Sequence, residues 1–216
     1  MSYSQNSIDA IIIGGGHNGL VCAYYLAKKG LNVHVYEKRP IVGGAAVTEE
    51  FHPGFRNSVA SYTVSLLNPE IIKDMNLKEY GLEVVKRPIS NFLPIDQTTY
   101  LKLGGGLERT QEEFKKFSAK DAARLPEYYD RIEAVADVLR DLSIKTPPNP
   151  KQGIRAALNA ALQLWPIATK GNQVHRDVYD LFTKSARSFL DSWFENEHIK
   201  AAFGFDSIVG NYASPD

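Results

Sequence analysis

The chain has a single cysteine, Cys22, among its 216 residues. One thiol closes no internal disulfide and leaves no C-x-x-C pair, so a disulfide framework and dithiol redox chemistry are both excluded within the chain. Excess charge is missing as well, since 25 Lys and Arg offset 25 Asp and Glu. The composition therefore sets up no global field to recruit nucleic acid or an acidic membrane. No apolar run approaches the roughly 20 residues that a bilayer-spanning helix needs. The polar start, Met1 to Ser7, is neither a signal peptide nor an arginine-rich transit segment, and the expected location is cytoplasmic. His17, His34, His52, His175 and His198 are scattered without ligand spacing, so no metal site is expected. Neither a G-x-S-x-G elbow nor an acid–base dyad stands out, and no catalytic residue is assigned.

What the chain does have is an apolar run, Ile11-Ile12-Ile13, that breaks into Gly14-Gly15-Gly16-His17-Asn18-Gly19 and resumes at Leu20 with helical spacing. Gly14, Gly16 and Gly19 stand at the G-x-G-x-x-G spacing. The first makes the tight turn out of a strand, the second lets backbone touch a pyrophosphate, and the third lets the helix pack on the sheet. A glycine-rich turn alone is weak evidence, but its context is ordered. Asp9 to Ile13 reads as a buried strand, and Leu20, Ala23, Tyr24 and Ala27 recur at helical spacing until Lys28-Lys29-Gly30 ends the helix. Val33 to Tyr36 reads as a second strand with Glu37 at its tip, where a carboxylate can accept hydrogen bonds from ribose hydroxyls. Cys22 falls within the helix and is expected to be a small buried packing residue.

Glu37 opposes a ribose 2′-phosphate, whereas Lys38 and Arg39 would accept one, so these three residues leave NADP open. The next segment, Val42-Gly43-Gly44-Ala45-Ala46, is poor in side chains and lets backbone lie against a flat ring or a phosphate. An acid at the strand tip followed by a Gly-Gly pair resembles the flavoprotein family that includes amine oxidases and phytoene desaturases. The runs Gly14 to Val21, Glu37-Lys38-Arg39 and Val42 to Glu50 narrow the likeness. With Pro53-Gly54-Phe55-Arg56, Ala60-Ser61-Tyr62, Phe117 to Ala122 and Asp191 to Glu195, the chain resembles the pyridine nucleotide-disulfide oxidoreductase domain-containing protein 2 group and related carotenoid ketolases.

The resemblance implies FAD as cofactor, with Gly14, Gly15, Gly16, Asn18 and Gly19 at the phosphates, Glu37 on the adenosine ribose, Lys38 and Arg39 nearby, and Gly43, Gly44 and Ala45 beside the flavin. It implies an FAD-dependent oxidoreductase acting on an apolar small molecule. It also implies a missing C-terminal half, because the family's FAD domain draws on a later Gly-Asp motif and no Gly-Asp dipeptide occurs here. The expected fold is accordingly α/β, a Rossmann-like βαβ start of an incomplete doubly wound sheet followed by a mixed and then mainly helical segment. Residues 1–66 are read as the ADP-binding part and 67–216 as the start of a substrate-domain insert, largely helical after 110, in a truncated chain that is inactive by itself. Two other functions stay open: a cofactor-holding regulatory or interaction module without turnover, and an NADP-dependent dehydrogenase.

Further along, Asn68-Pro69-Glu70 predicts a helix start, Leu82–Arg87 and Thr99–Leu103 predict strands, and Gly104-Gly105-Gly106 predicts a plain turn. Thr110 with Glu113, and Ser118 with Asp121, read as capping boxes. An apolar stripe from Leu125 through Tyr128, Tyr129, Ile132, Val135, Ala136 and Leu139 to Leu142 predicts one long helix, ended by the stiff linker Thr146 to Pro150. Helices are expected over Gly153–Ala168 and Val174–Ala186 and around Trp193 and Phe203. Ile154, Ala157, Leu158, Ala161, Leu162 and Trp165 share one face. That face is expected to pack on the long helix rather than on a lipid surface, because Arg155 alone is a thin basic complement.

Overall fold

A computed structural model describes residues 7–61, 63–147, 149, 153–209 and 214–216. The start Met1 to Asn6, together with Pro148 and Pro150 of the linker, lies outside the described residues. The chain forms two compact units that divide between Val85 and Lys86.

In the first unit, strand β1 (Ala10–Ile13) runs through the glycine turn into helix α1 (His17–Lys28) and on to β2 (Val33–Tyr36). The two strands pair in parallel, with Ala10 opposite Val33 and Ile13 opposite Tyr36. This is the βαβ order read from the sequence. Gly30, at a φ of 85°, supplies the left-handed residue after the helix that only glycine adopts without strain. A hairpin follows, β3 (Thr48–His52) with β4 (Phe55–Ser58), turning at Pro53-Gly54. Helix α2 (Pro69–Asp74) starts as expected, the Asn68 side chain accepting from Glu70 N–H at 2.9 Å. Tyr24 and Tyr25 of α1 hydrogen-bond to the Asp74 carbonyl and carboxylate. Those bonds tie α2 into the first unit, so the compact units do not divide at residue 66.

Two expectations in this unit are corrected. Residues 82–87 form no strand: Val84 and Val85 have high strand propensity, but no partner strand reaches them and both are exposed. Cys22 is exposed rather than buried, because α1 uses its other residues, Leu20, Tyr24 and Tyr25 among them, for packing.

The second unit begins with an antiparallel pair, β5 (Asn91–Pro94) and β6 (Tyr100–Leu103). Pro94 ends β5 opposite Tyr100 in a two-stranded sheet, where its missing N–H costs little. Gly104, Gly105 and Gly106 all take positive φ in a turn that leads into α3 (Leu107–Lys115). Thr110 therefore lies inside α3 and caps nothing. Its buried hydroxyl accepts from Gly104 N–H and donates to the Gly106 carbonyl, tying the helix to the turn.

Helix α4 (Ala119–Ser143) is capped by Ser118, whose hydroxyl accepts from Asp121 N–H at 3.1 Å. Asp121 does not complete the box. Its buried carboxylate accepts the N–H groups of Glu195 and Asn196 instead, bolting the start of α4 to the start of α8 (Glu197–Ile208). Between them run α5 (Ile154–Ala168), α6 (Asn172–Thr183) and α7 (Ala186–Asp191). The helix expected over Val174–Ala186 is split, since Ser185 caps a new helix by accepting from Ser188 N–H. Leu101, Phe114, Leu125, Tyr128, Trp193, Phe194 and Ile199 form the core. Arg131 reaches from α4 to the buried carboxylate of Asp177 and lies over the Trp193 ring.

The face of α5 does not pack on α4 as expected. Ile154, Leu158, Leu162 and Trp165 are exposed. Leu125 and Tyr128 of α4 pack in the core with Leu190, Phe194 and Ile199, and α4 is in extensive contact with α3 and α6, a packing that the outward face of α5 does not join.

Candidate functional site

The candidate site is the turn between β1 and α1. Gly14 leaves β1 at a φ of 101° and donates its N–H to the Tyr36 carbonyl at 2.7 Å, so the turn opens only after the strands have paired. Gly15 is buried. Its N–H donates to Glu37 Oε2 at 2.7 Å, and its carbonyl accepts from Gly43 N–H at 2.7 Å. A Cβ on Gly15 would run into the side chains of Val42 and Glu37. One on Gly19 would overlap the Gly14 carbonyl oxygen, so the third glycine is what brings helix and turn together.

Gly16 differs from both. A Cβ there would meet nothing nearer than Gly44 Cα at 3.8 Å, so the protein itself does not demand glycine. Gly16 is the N-cap of α1 and no side chain caps the helix. An α-helix leaves its first N–H groups without intrahelical acceptors, and those of α1 lie beside the open space at Gly16. With the positive end of the helix dipole behind them they suit an anion such as a pyrophosphate. Asn18 and His17 are exposed in this first turn. The residues present therefore fit a dinucleotide.

Glu37 closes the other side. Its carboxylate accepts Arg39 N–H at 2.9 Å through Oε1 and Gly15 N–H through Oε2. These donors, that of Arg39 first, hold its carboxyl below the ordinary carboxylate value and keep it ionised at neutral pH. A carboxylate offers about four lone-pair positions, so these backbone bonds still leave room for a ribose hydroxyl. Lys38 is exposed, and Arg39 makes an ion pair with Glu49 of β3.

The Gly43-Gly44-Ala45 segment returns to the turn. Gly43, at a φ of 122°, pairs with Gly16 as an isolated parallel bridge, and a Cβ on Gly44 would come within 3.0 Å of Gly16 Cα. Ala45 is exposed in the short 3-10 turn Gly44–Ala46. Val47, buried just beyond, anchors the loop with its side chain against Gly43. Sequence reasoning assigned no role to Val47 or Glu49. The signal was the alternation out of the Gly-Gly loop, which sets Val47 inward just before β3. The Lys38 backbone also bonds to the Glu37 carboxylate, while Asn18 and Ala45 are the assigned residues that are exposed with no bond observed within this cluster.

A parallel βαβ unit, glycines forced by backbone contacts and an acid at the second strand tip define a Rossmann-like dinucleotide-binding segment. Residues 12–75 match the NAD(P)-binding Rossmann-like domain family. Over nearly its whole length the chain is similar to pyridine nucleotide-disulfide oxidoreductase domain-containing protein 2 of Rattus norvegicus. The two are 37% identical over 221 aligned residues, which cover 96% of this chain and 38% of the rat protein. The resemblance drawn from the motifs is thus borne out, as a likeness to the corresponding part of that longer protein, with a Rossmann-like dinucleotide-binding segment at residues 12–75. One of the subunits of the limonene dehydrogenase of Castellaniella defragrans is 37% identical over 130 residues, covering 60% of this chain and 24% of its own length. The 4,4'-diapolycopen-4-al dehydrogenase of Metabacillus indicus is 27% identical over 204 residues, covering 91% of this chain and 38% of its own length. The chain therefore spans well under half the length of these relatives. Among the described residues no helix is long and apolar enough to cross a membrane.

Proposed function

We propose that this chain is the ADP-binding part of an FAD-dependent oxidoreductase of the phytoene desaturase-like type, acting in the cytoplasm on an apolar small molecule. The observation that carries the reading is the Gly43-Gly44 loop held on the phosphate turn by the Gly43 N–H to Gly15 carbonyl bond. It returns a surface almost bare of side chains to the nucleotide end of the βαβ unit. Gly14, Gly15, Gly16, Asn18 and Gly19 would seat the pyrophosphate at the start of α1, and Glu37 would accept from the ribose hydroxyls. Gly43, Gly44 and Ala45 would border the route toward the ring, with Lys38 at the rim.

FAD, when bound, supplies the acceptor for a hydride or an electron pair from the substrate. The chain's own residues then have to bind, orient and exclude water, which agrees with the absence of an evident acid–base dyad in the sequence. NADP is disfavoured by two observations. Glu37 is held ionised where a 2′-phosphate would sit, and Arg39, the cation such a phosphate needs, is engaged by Glu49. An apolar substrate is supported by the names of two relatives, which pair dehydrogenation with limonene and with 4,4'-diapolycopen-4-al. Since the rat relative is matched over 38% of its length, a further part of the same protein is proposed to enclose the flavin.

The experiment is an absorbance spectrum of the purified longer protein, followed by anaerobic addition of apolar donors and then of an acceptor. A flavin spectrum that bleaches and recovers is the expected result. Flavin that never turns over makes the protein a cofactor-holding module, and retention of NADP without flavin overturns the assignment.

A further inference from the structure

Helix α5 is amphipathic the wrong way round for a core helix. Ala156, Ala160, Gln163 and Ile167 are half-buried and recur at helical spacing, so they mark the side turned toward the protein. That side is held by His175 of α6, whose Nε2 donates to the Ile167 carbonyl at 2.8 Å. Ile154, Leu158, Ala161, Leu162 and Trp165 recur at the same spacing two residues out of step, which puts them roughly 180° away at 100° per residue. They point outward: Ile154 is 81% exposed, Leu162 72% and Trp165 67%. Ala156, Ala160, Gln163 and Ile167 face in, and the larger share of the helix's bulky apolar surface, Ile154, Leu158, Leu162 and Trp165, faces out.

Between Asp141 and Asp177 the sequence that carries this helix is basic. From Leu142 to Arg176 the sequence carries Lys145, Lys151, Arg155, Lys170 and Arg176 and not one Asp or Glu, in a chain whose 25 acids balance 25 bases. Arg155 lies beside the apolar stripe, where its stem can follow the stripe and its guanidinium can reach headgroup phosphates. A second copy docking through the same stripe would bring two such cationic segments together, which like-charge repulsion opposes. An anionic surface is favoured by both the stripe and the charge.

We propose that α5 is an interfacial helix that seats Ile154, Leu158, Leu162 and Trp165 in the headgroup boundary of an anionic lipid bilayer. The charge balance of the whole chain hides this, because the cations act locally within a Debye length of the surface. The proposal stands apart from the nucleotide site and does not depend on which cofactor is bound there.

The chain has two tryptophans, and Trp193 is 4% exposed, so a change in emission on adding vesicles reports Trp165. With vesicles of phosphatidylcholine and phosphatidylserine, the intact chain is expected to sediment with lipid, shift its emission to the blue and lose acrylamide quenching. Added salt weakens this, and phosphatidylcholine alone binds much less. Replacing Leu158→Asp and Leu162→Asp together should cut the bound fraction about tenfold or more while thermal unfolding stays unchanged, since both side chains are exposed. Absence of binding to anionic vesicles overturns the proposal, and so does equal binding by the double variant. Trp165 shielded without lipid also overturns it, in a dimer assigning the stripe to a second copy and in the longer monomeric protein assigning it to another part of the same chain.

Discussion

In the second unit, Leu101, Phe114, Leu125 and Ile199 are sealed from solvent, and the Tyr128 ring lies 5.4, 5.0 and 4.9 Å from those of Trp193, Phe194 and Phe203. In the first unit, Val47 is the one apolar side chain buried to that degree among the described residues, and Ile13 of β1 is 82% exposed. The second unit is held by close-packed rings and aliphatics, which dominate the stability of any domain. The first is held by backbone: paired strands, forced glycines, and Glu37 and Asp74 accepting bonds from the chain around them. A parallel pair is normally covered on both faces, and here α1 supplies one cover. The candidate nucleotide site is therefore shaped by stereochemistry, and its rigidity comes from hydrogen bonds more than from burial.

The largest expected effect tests the packed unit. Asp121→Ala orphans the buried N–H groups of Glu195 and Asn196, at a cost of about 2–4 kcal/mol. Unfolding followed by Trp193 fluorescence should shift accordingly, while nucleotide retention stays as it was. Loss of both together would break the comparison and make the two units one cooperative whole.

The next effect tests the stereochemical unit through two glycines of one motif. Gly19→Ala drives a Cβ into the Gly14 carbonyl, so the turn must distort and nucleotide affinity should fall about a hundredfold together with local stability. Gly16→Ala meets only Gly44 Cα at 3.8 Å, so it should leave thermal unfolding unchanged and still lose the nucleotide. Calorimetry beside equilibrium dialysis separates the two. Full affinity in Gly16→Ala would reduce the motif to a plain turn.

The smallest effect concerns Glu37. Glu37→Gln keeps one acceptor oxygen and removes the charge, and should weaken nucleotide retention roughly tenfold. The folded carboxyl is held below its ordinary value of 4.5, so its contribution is present above that pH and is lost as pH falls through the lowered folded value. Hydrogen exchange at Gly15 N–H should accelerate in that acid window in the native chain and show no such step in Glu37→Gln.

The βαβ core was legible because each signal sits within a few residues of the structure it dictates. An apolar run made β1, periodicity made α1, and Gly14, Gly19 and Gly30 stood where backbone or φ allowed nothing else. Asn68 and Ser118 were legible as caps for the same reason. The hairpin β3–β4 was missed although Pro53-Gly54 between Phe51 and Phe55 marks a turn flanked by strand formers. Val84 and Val85 misled, because strand propensity becomes a strand only when a partner arrives.

By itself, then, the sequence determined the nucleotide-binding topology, the glycine turn with its acid at the strand tip, and the likeness to a known group of longer proteins. These rest on local stereochemistry, which a short segment carries within itself. Only the tertiary structure decided that Asp121 bolts α4 to α8, that Arg39 is taken up by Glu49, that Cys22 faces outward and that the apolar stripe of α5 is left uncovered. An amphipathic pattern states that a helix has an apolar face; which surface meets that face depends on segments far along the chain, and here the core was closed by Tyr128, Trp193, Phe194 and Phe203 without α5.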